Sequence, residues 1–167
     1  VPNPKSVYAI SKWRAEEHVR RLTDKMQTYI FRCGNVYGYN RSMRFDAVIN
    51  KFVFEATFEN RVSIHGDGEQ ARSFIHSDMI AKALANALTS DLPSGTYNLV
   101  DKTYKVMDIV DELKQLFPEL EFILINQYMK LSQLNIKRNE EVNRKLGIAE
   151  ETSLKNDLTE FLKKLRF

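Results

Sequence analysis

Residues 64–78 read IHGDGEQARSFIHSD and hold the clearest topological signal in the chain. The central Gly-Asp-Gly is a turn signal, and the runs on either side of it, 61–64 and 72–75, predict two short strands. Ser77 is a suitable N-cap for a helix of about three turns that follows. Four apolar residues recur at helical spacing in that helix and are predicted to face the core: Ile80, Ala83, Leu84 and Ala87.

Helices and strands alternate on both sides of this stretch. Apolar residues at helical spacing predict five further helices, at 6–26, 45–56, 106–117, 139–146 and 154–165. In the first of them the predicted apolar stripe is Ser11, Ala15, Val19 and Leu22. β-rich runs predict three further strands, at 28–32, 96–100 and 121–125, and the segment 34–42, rich in Gly, Asn and Tyr, is predicted as a loop. The alternation predicts an α/β fold with parallel strand pairs and five short strands.

The composition excludes several classes of protein. Of the 167 residues, 43% are hydrophobic and 28% are charged, which is typical of a soluble globular protein and excludes a disordered chain. No apolar run approaches the ~20 residues that a membrane-spanning helix needs. The net charge of +3 comes from basic residues interleaved with acids, so a nucleic-acid-binding face is not indicated. The single cysteine, Cys33, excludes an internal disulfide framework and fits a reducing cytoplasm.

Tyr8 and Lys12 are the first candidate catalytic pair. They are four residues apart near the start of a predicted helix, so both side chains lie on one face. A lysine ammonium near a phenol stabilises the phenolate, which can then accept or donate a proton near neutral pH. On spacing alone, an ordinary pair on a helix surface is the commoner interpretation. No His, Cys or Asp residues have metal-ligand spacing, so no metal site is predicted.

Three segments in order resemble a known family. Residues 4–12 (PKSVYAISK), 32–38 (RCGNVYG) and 64–78 are similar to motifs of the extended short-chain dehydrogenase/reductase family, in particular its NAD-dependent sugar-nucleotide epimerases and dehydratases. The resemblance implies the C-terminal part of a Rossmann-type NAD(P)-binding domain with a small α/β substrate-binding lobe. It assigns 1–40 and 76–100 to the first part, and 41–75 and 101–167 to the lobe.

The resemblance also implies roles for the residues near the cofactor. Tyr8 matches the family's catalytic acid/base, and Lys12 matches its partner, which also anchors the nicotinamide ribose. Cys33 and Val36 occupy positions that lie near the nicotinamide in the family. The implied cofactor is NAD, with NADP possible. As a nucleophile Cys33 is a poor candidate, because no histidine is close in sequence to activate it.

A second group of residues is implied for the substrate, a nucleotide-diphosphate sugar. Asn35 and Arg72 match residues that hold the diphosphate in the family, a task that suits the multiple donors of a guanidinium. Arg44 belongs to a Met-Arg-Phe-Asp sequence seen in some uncharacterised members, and it either reaches the sugar or phosphate or is a charge at the entry of a helix. His76 either faces the substrate cleft or has a structural role. A homodimer is implied for the intact enzyme.

The departures from the family pattern limit the functional prediction. No glycine-rich turn for the dinucleotide pyrophosphate is found, and the catalytic Ser or Thr of the family has no counterpart. The chain is therefore expected to be the C-terminal half of an enzyme and inactive alone. Residues 126–129 (NQYM) stand where many relatives carry a second arginine, which weakens the prediction of a uridine-diphosphate sugar. Epimerase, dehydratase, decarboxylase and reductase activities all stay open, as does a non-catalytic remnant.

Overall fold

The computed structural model describes residues 3–128, 131–148 and 153–165 and has a mixed α/β architecture, which confirms the predicted fold class. The helices of these segments are α1 (Val7–Arg20), α2 (Val48–Phe58), α3 (Ser77–Ala87), α4 (Val106–Leu116), α5 (Glu140–Lys145) and α6 (Leu154–Leu165). The strands are β1 (Tyr29–Cys33), β2 (Asn35–Tyr37), β3 (Arg61–His65), β4 (Ala71–His76), β5 (Gly95–Leu99), β6 (Lys102–Lys105) and β7 (Glu121–Ile125). In these parts of the chain no helix has both the length and the apolar character needed to cross a bilayer.

The strands form three small sheets in which parallel pairing predominates. β1 pairs with β5, β2 with β4, and β3 with β7, all in parallel. β6 adds to the free edge of β4 in the antiparallel direction. Parallel neighbours require a crossover between them, and α2 and α3 lie in these crossovers. β1 continues into β2 through a single residue, Gly34, so the carboxyl end of β1 lies beside the start of β2. The carboxyl ends of β2 and β4 lie side by side, with Tyr37 opposite His76.

Two hydrophobic cores hold these elements together. The first is built mainly by α2, β3, α4 and α6, and its fully buried members include Ile49, Val53, Ile64, Ile109, Leu113 and Leu158. The second packs α3 and α5 around β4 and β5, and it contains Ile75, Ala83, Ala87, Leu92, Leu99, Val142, Leu146 and Ile148. Burial of such side chains contributes about 1.5–3 kcal/mol each, so the two cores account for most of the driving force for folding.

The prediction of a loop over 34–42 is wrong at its beginning. Asn35–Tyr37 forms β2, whose partner is β4, with Val36 opposite Ile75. This pairing joins residues almost forty positions apart, so the local Gly and Asn content gave no sign of it. Gly34 allows the backbone before β2 to lie this close to β4, because a Cβ atom there would lie 2.8 Å from the carbonyl oxygen of Ser73. β6 was not predicted either, so the described residues contain seven strands rather than five.

Two details of α3 also differ from the prediction. The N-cap is His76 rather than Ser77, and the His76 Nδ1 atom accepts a hydrogen bond of 3.2 Å from the backbone N–H of Asp78. Ala83 and Ala87 are buried as predicted, whereas Leu84 is 50% exposed. Leu84 does not belong to the second core, although Ala83 and Ala87 on the same helix do. Helical spacing alone did not resolve this position.

α1 ends at Arg20, shorter than the predicted 6–26, and turns follow it. No α1 residue is fully buried, so the predicted stripe from Ser11 to Leu22 does not form a core contact in the described structure. Ala15 and Val19 instead line an open cavity beside β1. α1 is thus held against the rest of the molecule chiefly by polar contacts, which are described below.

The predicted division into a sheet domain and a substrate lobe stays a prediction. Of the residues it covers, positions 1–2, 129–130, 149–152 and 166–167 lie outside the described residues, and Met129 of the NQYM segment is among them.

Candidate active site

The first turns of α1 position Tyr8 and Lys12. The Ser6 side chain caps the helix by accepting a hydrogen bond of 3.1 Å from the Ala9 N–H, so the helix begins just before the tyrosine. The Ser11 hydroxyl donates to the Tyr8 carbonyl at 2.8 Å. One helical turn separates the two candidates, and the Lys12 ammonium lies over the Tyr8 ring, 5.5 Å from its centroid. The Tyr8 side chain is 70% exposed and therefore accessible to a ligand.

An open cavity of about 800 Å³ lies beside this pair. Its walls are α1, β1, β2 and the segment that leads into α2. It brings together six of the seven residues that the sequence singled out: Tyr8, Lys12, Cys33, Asn35, Val36 and Arg44. A cavity of this size is sufficient for a large part of a dinucleotide or a nucleotide sugar.

The junction of β1 and β2 supplies three of these residues. Asn35 is anchored by its side-chain amide, which donates to the Ser73 carbonyl of β4 at 3.1 Å. Val36 is 41% exposed and presents an apolar surface to the cavity. Desolvation raises the pKa of the Cys33 thiol, so the group is a neutral thiol near pH 7. A neutral thiol is a weak nucleophile, in agreement with the sequence-based interpretation.

Arg44 is held at the cavity by an ion pair with Asp46. Its Nε and Nη2 atoms donate to the two carboxylate oxygens at 3.0 and 2.5 Å. The hydrogen bond and then the charge of Asp46 raise the pKa of Arg44, and the same contacts lower the pKa of Asp46. Asn50 fixes the backbone of this segment, since its amide N–H donates to the Arg44 carbonyl at 3.0 Å and its Oδ1 accepts from the Gly38 N–H at 3.0 Å.

A second ion pair at the cavity, between Glu16 and Arg32, was missed from the sequence. Glu16 of α1 accepts two hydrogen bonds from Arg32 of β1, at 2.7 and 2.6 Å, and a third from Arg20 at 2.8 Å. The Arg32 hydrogen bond is the largest of the effects that lower the pKa of Glu16. This bidentate pair is the main polar link between α1 and the sheet. The Glu16–Arg20 spacing of four residues was visible in the sequence, but the contact with Arg32 depends on the fold.

Replacement of Glu16 by Gln is expected to lower the free energy of unfolding by about 0.5–1 kcal/mol at pH 7, because the pair is partly exposed. The pKa of Glu16 is lower in the folded state than its ordinary value of 4.5. Its contribution is therefore complete above that value and is lost as the pH falls through the folded-state value. Urea unfolding at pH 7 and at pH 3 measures both effects. Glu17→Gln is the matched control on the same helix, and an equal loss in both variants would contradict the assignment.

Arg72 is the one predicted residue that lies outside the cavity lining. It is located near the start of β4, where its Nη1 atom donates to the carbonyl of Ser132. A backbone bridge between Arg72 and Leu134 also ties this part of the strand to the segment after β7. The structure therefore connects Arg72 to 132–134 and does not bring it into contact with the Tyr8 pair.

His76 lines a different cavity, of about 340 Å³, between the loop after β2, α3 and α6. Its ring packs edge-on against Tyr37 with the centroids 5.2 Å apart, and it lies close to Gly38. These contacts and its capping of α3 give His76 a structural role and place it away from the Tyr8 cavity. Within the described segments, no three His, Cys, Asp or Glu side chains are grouped so that they could hold a metal ion.

Comparison with known proteins extends this description. A family model named "NAD dependent epimerase/dehydratase family" matches residues 1–99. A dTDP-D-glucose 4,6-dehydratase from Mus musculus is 32% identical over 119 residues, which cover 70% of this chain and 33% of the relative. A putative UDP-glucose 4-epimerase from Methanocaldococcus jannaschii is 34% identical over 90 residues, which cover 52% of this chain and 29% of the relative.

Solved structures show the same fold. The UDP-N-acetylglucosamine 4-epimerase from Methanobrevibacter ruminantium, in complex with UDP-N-acetylmuramic acid, matches with a TM-score of 0.83 at 22% identity, over 98% of this chain and 54% of that chain. The UDP-glucuronic acid 4-epimerase from Bacillus cereus, in complex with UDP-glucuronic acid and NAD, matches with a TM-score of 0.80 at 20% identity, over 99% and 55%. At these identities the likeness establishes the fold alone.

The chain spans about a third of the length of the curated relatives it matches, and just over half of the solved chains. The family model, by contrast, extends over more than half of this chain and includes Tyr8 and Lys12 of α1 together with β1, β2 and β4. On that match, the chain belongs to the NAD dependent epimerase/dehydratase family.

Proposed function

We propose that this chain forms the acid/base and substrate-binding part of an NAD-dependent nucleotide-sugar epimerase or dehydratase. The observation that carries the proposal is the shared cavity, in which the exposed Tyr8 and Lys12 lie together with Asn35 and Arg44. Family membership supports it, as do the nucleotide sugars named for the relatives. NADP is the alternative cofactor. A homodimer, a cytoplasmic location and the division into a sheet domain and a substrate lobe belong to the same proposal.

The described residues fit one end of a nicotinamide dinucleotide. Lys12 offers an ammonium to ribose hydroxyls, and Cys33 and Val36 offer a weakly polar wall of the kind that a nicotinamide ring contacts. When bound, the dinucleotide supplies the hydride acceptor. Among the described residues the pyrophosphate has no comparable place, because the glycine that lines the cavity, Gly34, is packed against the backbone of β4. We therefore propose that the chain needs a second, pyrophosphate-binding half for turnover.

The chemistry assigned to the chain's own residues is proton management. The Tyr8 phenolate oxygen accepts the proton of a sugar hydroxyl while a hydride leaves the carbon that bears this hydroxyl, and a 4-keto sugar results. Lys12, close to the Tyr8 ring, stabilises the negative charge. Asn35 and Arg44 bind polar groups of the substrate. Arg72 is assigned to the diphosphate, which requires the substrate to extend from the cavity towards the start of β4.

The fate of the keto sugar separates the activities that the family includes. Rotation and re-reduction give an epimerase, elimination of water gives a dehydratase, and loss of a carboxylate gives a decarboxylase. A reductase uses only the return step. A chain that keeps the fold without catalysis is the competing hypothesis from another class, and a binding measurement separates it from all of these.

The test is calorimetric titration of NAD⁺ into the chain alone and into the chain supplied with the N-terminal half of a family member. We expect no measurable binding to the chain alone and binding after the second half is added. Absence of binding in both experiments would support the non-catalytic hypothesis. Tight binding to the chain alone would show that the dinucleotide site lies elsewhere than proposed.

A further inference from the structure

Arg44 and Asp46 form an ion pair in an unusual position for a structural contact. Both side chains line the large cavity, and they are 77% and 69% exposed. An ion pair this exposed contributes little to folding, because water screens the two charges. Its geometry is nevertheless bidentate, with Nε and Nη2 of the guanidinium each on one carboxylate oxygen. Because this contact has good geometry but contributes little to stability, another oxyanion can easily replace the Asp46 carboxylate on the guanidinium.

The backbone that carries the Arg44 side chain is fixed from behind. Asn50 is only 3% exposed, and both ends of its amide are used, one on the Arg44 carbonyl and one on the Gly38 N–H. Gly38 follows β2, which carries Asn35 and Val36 into the cavity. The backbone of Arg44 is thereby linked to the strand that forms the cavity wall. Its side chain is directed at the cavity from a segment with a buried anchor.

The other charges of the cavity do not compete for Arg44. Glu16 is occupied by Arg32 and Arg20, and its side chain is 15% exposed. Lys12 lies over the Tyr8 ring. The charge of Tyr8, when ionised, also adds to the raised pKa of Arg44, behind the larger effects of Asp46, so Arg44 lies within electrostatic reach of the proposed catalytic residue. The carboxylate that occupies the Nε–Nη2 face of Arg44 is Asp46.

We propose that Arg44 is the oxyanion-recognition residue of this cavity and that Asp46 is an intramolecular competitor that occupies the same donor face until a ligand oxyanion replaces it. The proposal rests on the proposed function, because it names the part of a nucleotide sugar that the site selects. Phosphate and carboxylate oxygens both match a bidentate guanidinium. Two sources are therefore possible, the diphosphate of any nucleotide sugar or the carboxylate of a sugar acid.

Replacement of the Asp46 carboxylate by a ligand oxyanion breaks one contact of Arg44 and forms another. A ligand that binds Arg44 must first break the contact with Asp46, and the released carboxylate then repels it at short range. Removal of the Asp46 charge therefore raises the affinity for the ligand, by about threefold to fivefold if the exposed pair has its usual strength. Removal of the Arg44 guanidinium abolishes this gain in affinity. Both effects decrease at high salt, because the groups are exposed.

The experiment follows the Arg44 Nε–H resonance of the ¹⁵N-labelled chain during titration with UDP, UDP-glucose and UDP-glucuronate, each to about 20 mM. The wild type, Asp46→Asn and Arg44→Gln are compared, and Arg44→Gln assigns the resonance. Glu69→Gln is the matched control, because it removes one negative charge from an exposed pair with Lys105 that lies outside the cavity.

Tighter binding of all three ligands to Asp46→Asn would support the proposal with phosphate as the oxyanion. Tighter binding of UDP-glucuronate alone would support it with a sugar carboxylate. The proposal is overturned if the Arg44 resonance responds to none of the ligands, or if Asp46→Asn and Glu69→Gln change the affinities equally. Because no dinucleotide is present, this result is independent of the NAD⁺ titration that tests the proposed function.

Discussion

Replacement of Tyr8 by Phe is expected to reduce turnover by at least about 10³-fold once the chain is supplied with a pyrophosphate-binding half. The variant removes a single oxygen atom from an exposed side chain, so the fold and the cavity stay intact. In the proposed mechanism, proton transfer from the sugar hydroxyl then has no acceptor, whereas the apolar contacts of the ring and the Lys12 ammonium above it are kept. Substrate and NAD⁺ affinities should therefore change less than threefold.

The measurement is the rate of conversion of a nucleotide sugar, with NAD⁺ and substrate affinities determined separately. Tyr97→Phe is the matched control, because Tyr97 lies outside the cavity lining and its hydroxyl donates to the Pro93 carbonyl. A Tyr8→Phe variant with more than a tenth of the parent turnover would exclude Tyr8 as the acid/base. An equal loss in Tyr97→Phe would point to instability rather than to catalysis.

Replacement of Gly38 by Ala is expected to lower the free energy of unfolding by about 2–5 kcal/mol. Gly38 has φ of 112°, in the region that residues with a Cβ atom rarely adopt, which costs about 1–2 kcal/mol. The added Cβ would also lie 2.5 Å from the Nε2 atom of His76, and relief of that overlap costs about 1–3 kcal/mol. His76 has little room to move, because it caps α3 and packs edge-on against Tyr37.

A double-mutant cycle separates the two causes. In a His76→Ala background the overlap is absent, so Gly38→Ala should cost only about 1–2 kcal/mol. Gly95→Ala is a control with ordinary backbone geometry, where the nearest atoms of Tyr97 would be 3.3 Å from the new Cβ, and it should cost less than Gly38→Ala. Chemical denaturation of the four variants gives these values. A Gly38→Ala cost below 1 kcal/mol, or one that His76→Ala leaves unchanged, would contradict this account.

The sequence was informative wherever a feature depends on residues close together along the chain. The helix from Leu154 to Leu165 was predicted with its exact bounds, and β3 and β4 were predicted to within a residue at each end. The spacing of Tyr8 and Lys12 on one helical face was also visible, and the structure places both at the large cavity. Local periodicity and turn chemistry are sufficient for features of this kind.

Features that depend on distant partners were missed. β2 exists because residues 35–37 pair with 74–76, and β6 exists because it adds to the edge of β4. The contact of Glu16 with Arg32 likewise requires α1 to lie beside β1. Asp46 was named only as part of a motif, and its direct contact with Arg44 became evident from the side-chain geometry. Tertiary contact, rather than local propensity, decides each of these.

The position of the last helix in the first core affects how this chain is made in the cell. α6 supplies Leu158 and Phe161 to a core that begins with α2, and Asp157 accepts a hydrogen bond of 2.6 Å from the Tyr37 hydroxyl, 120 residues earlier. During synthesis, the apolar faces of α2 and α4 emerge from the ribosome before their cover exists. Folding of this core therefore cannot be complete until residues 154–165 have emerged, and nascent chains stalled before residue 154 should depend on chaperones to stay soluble.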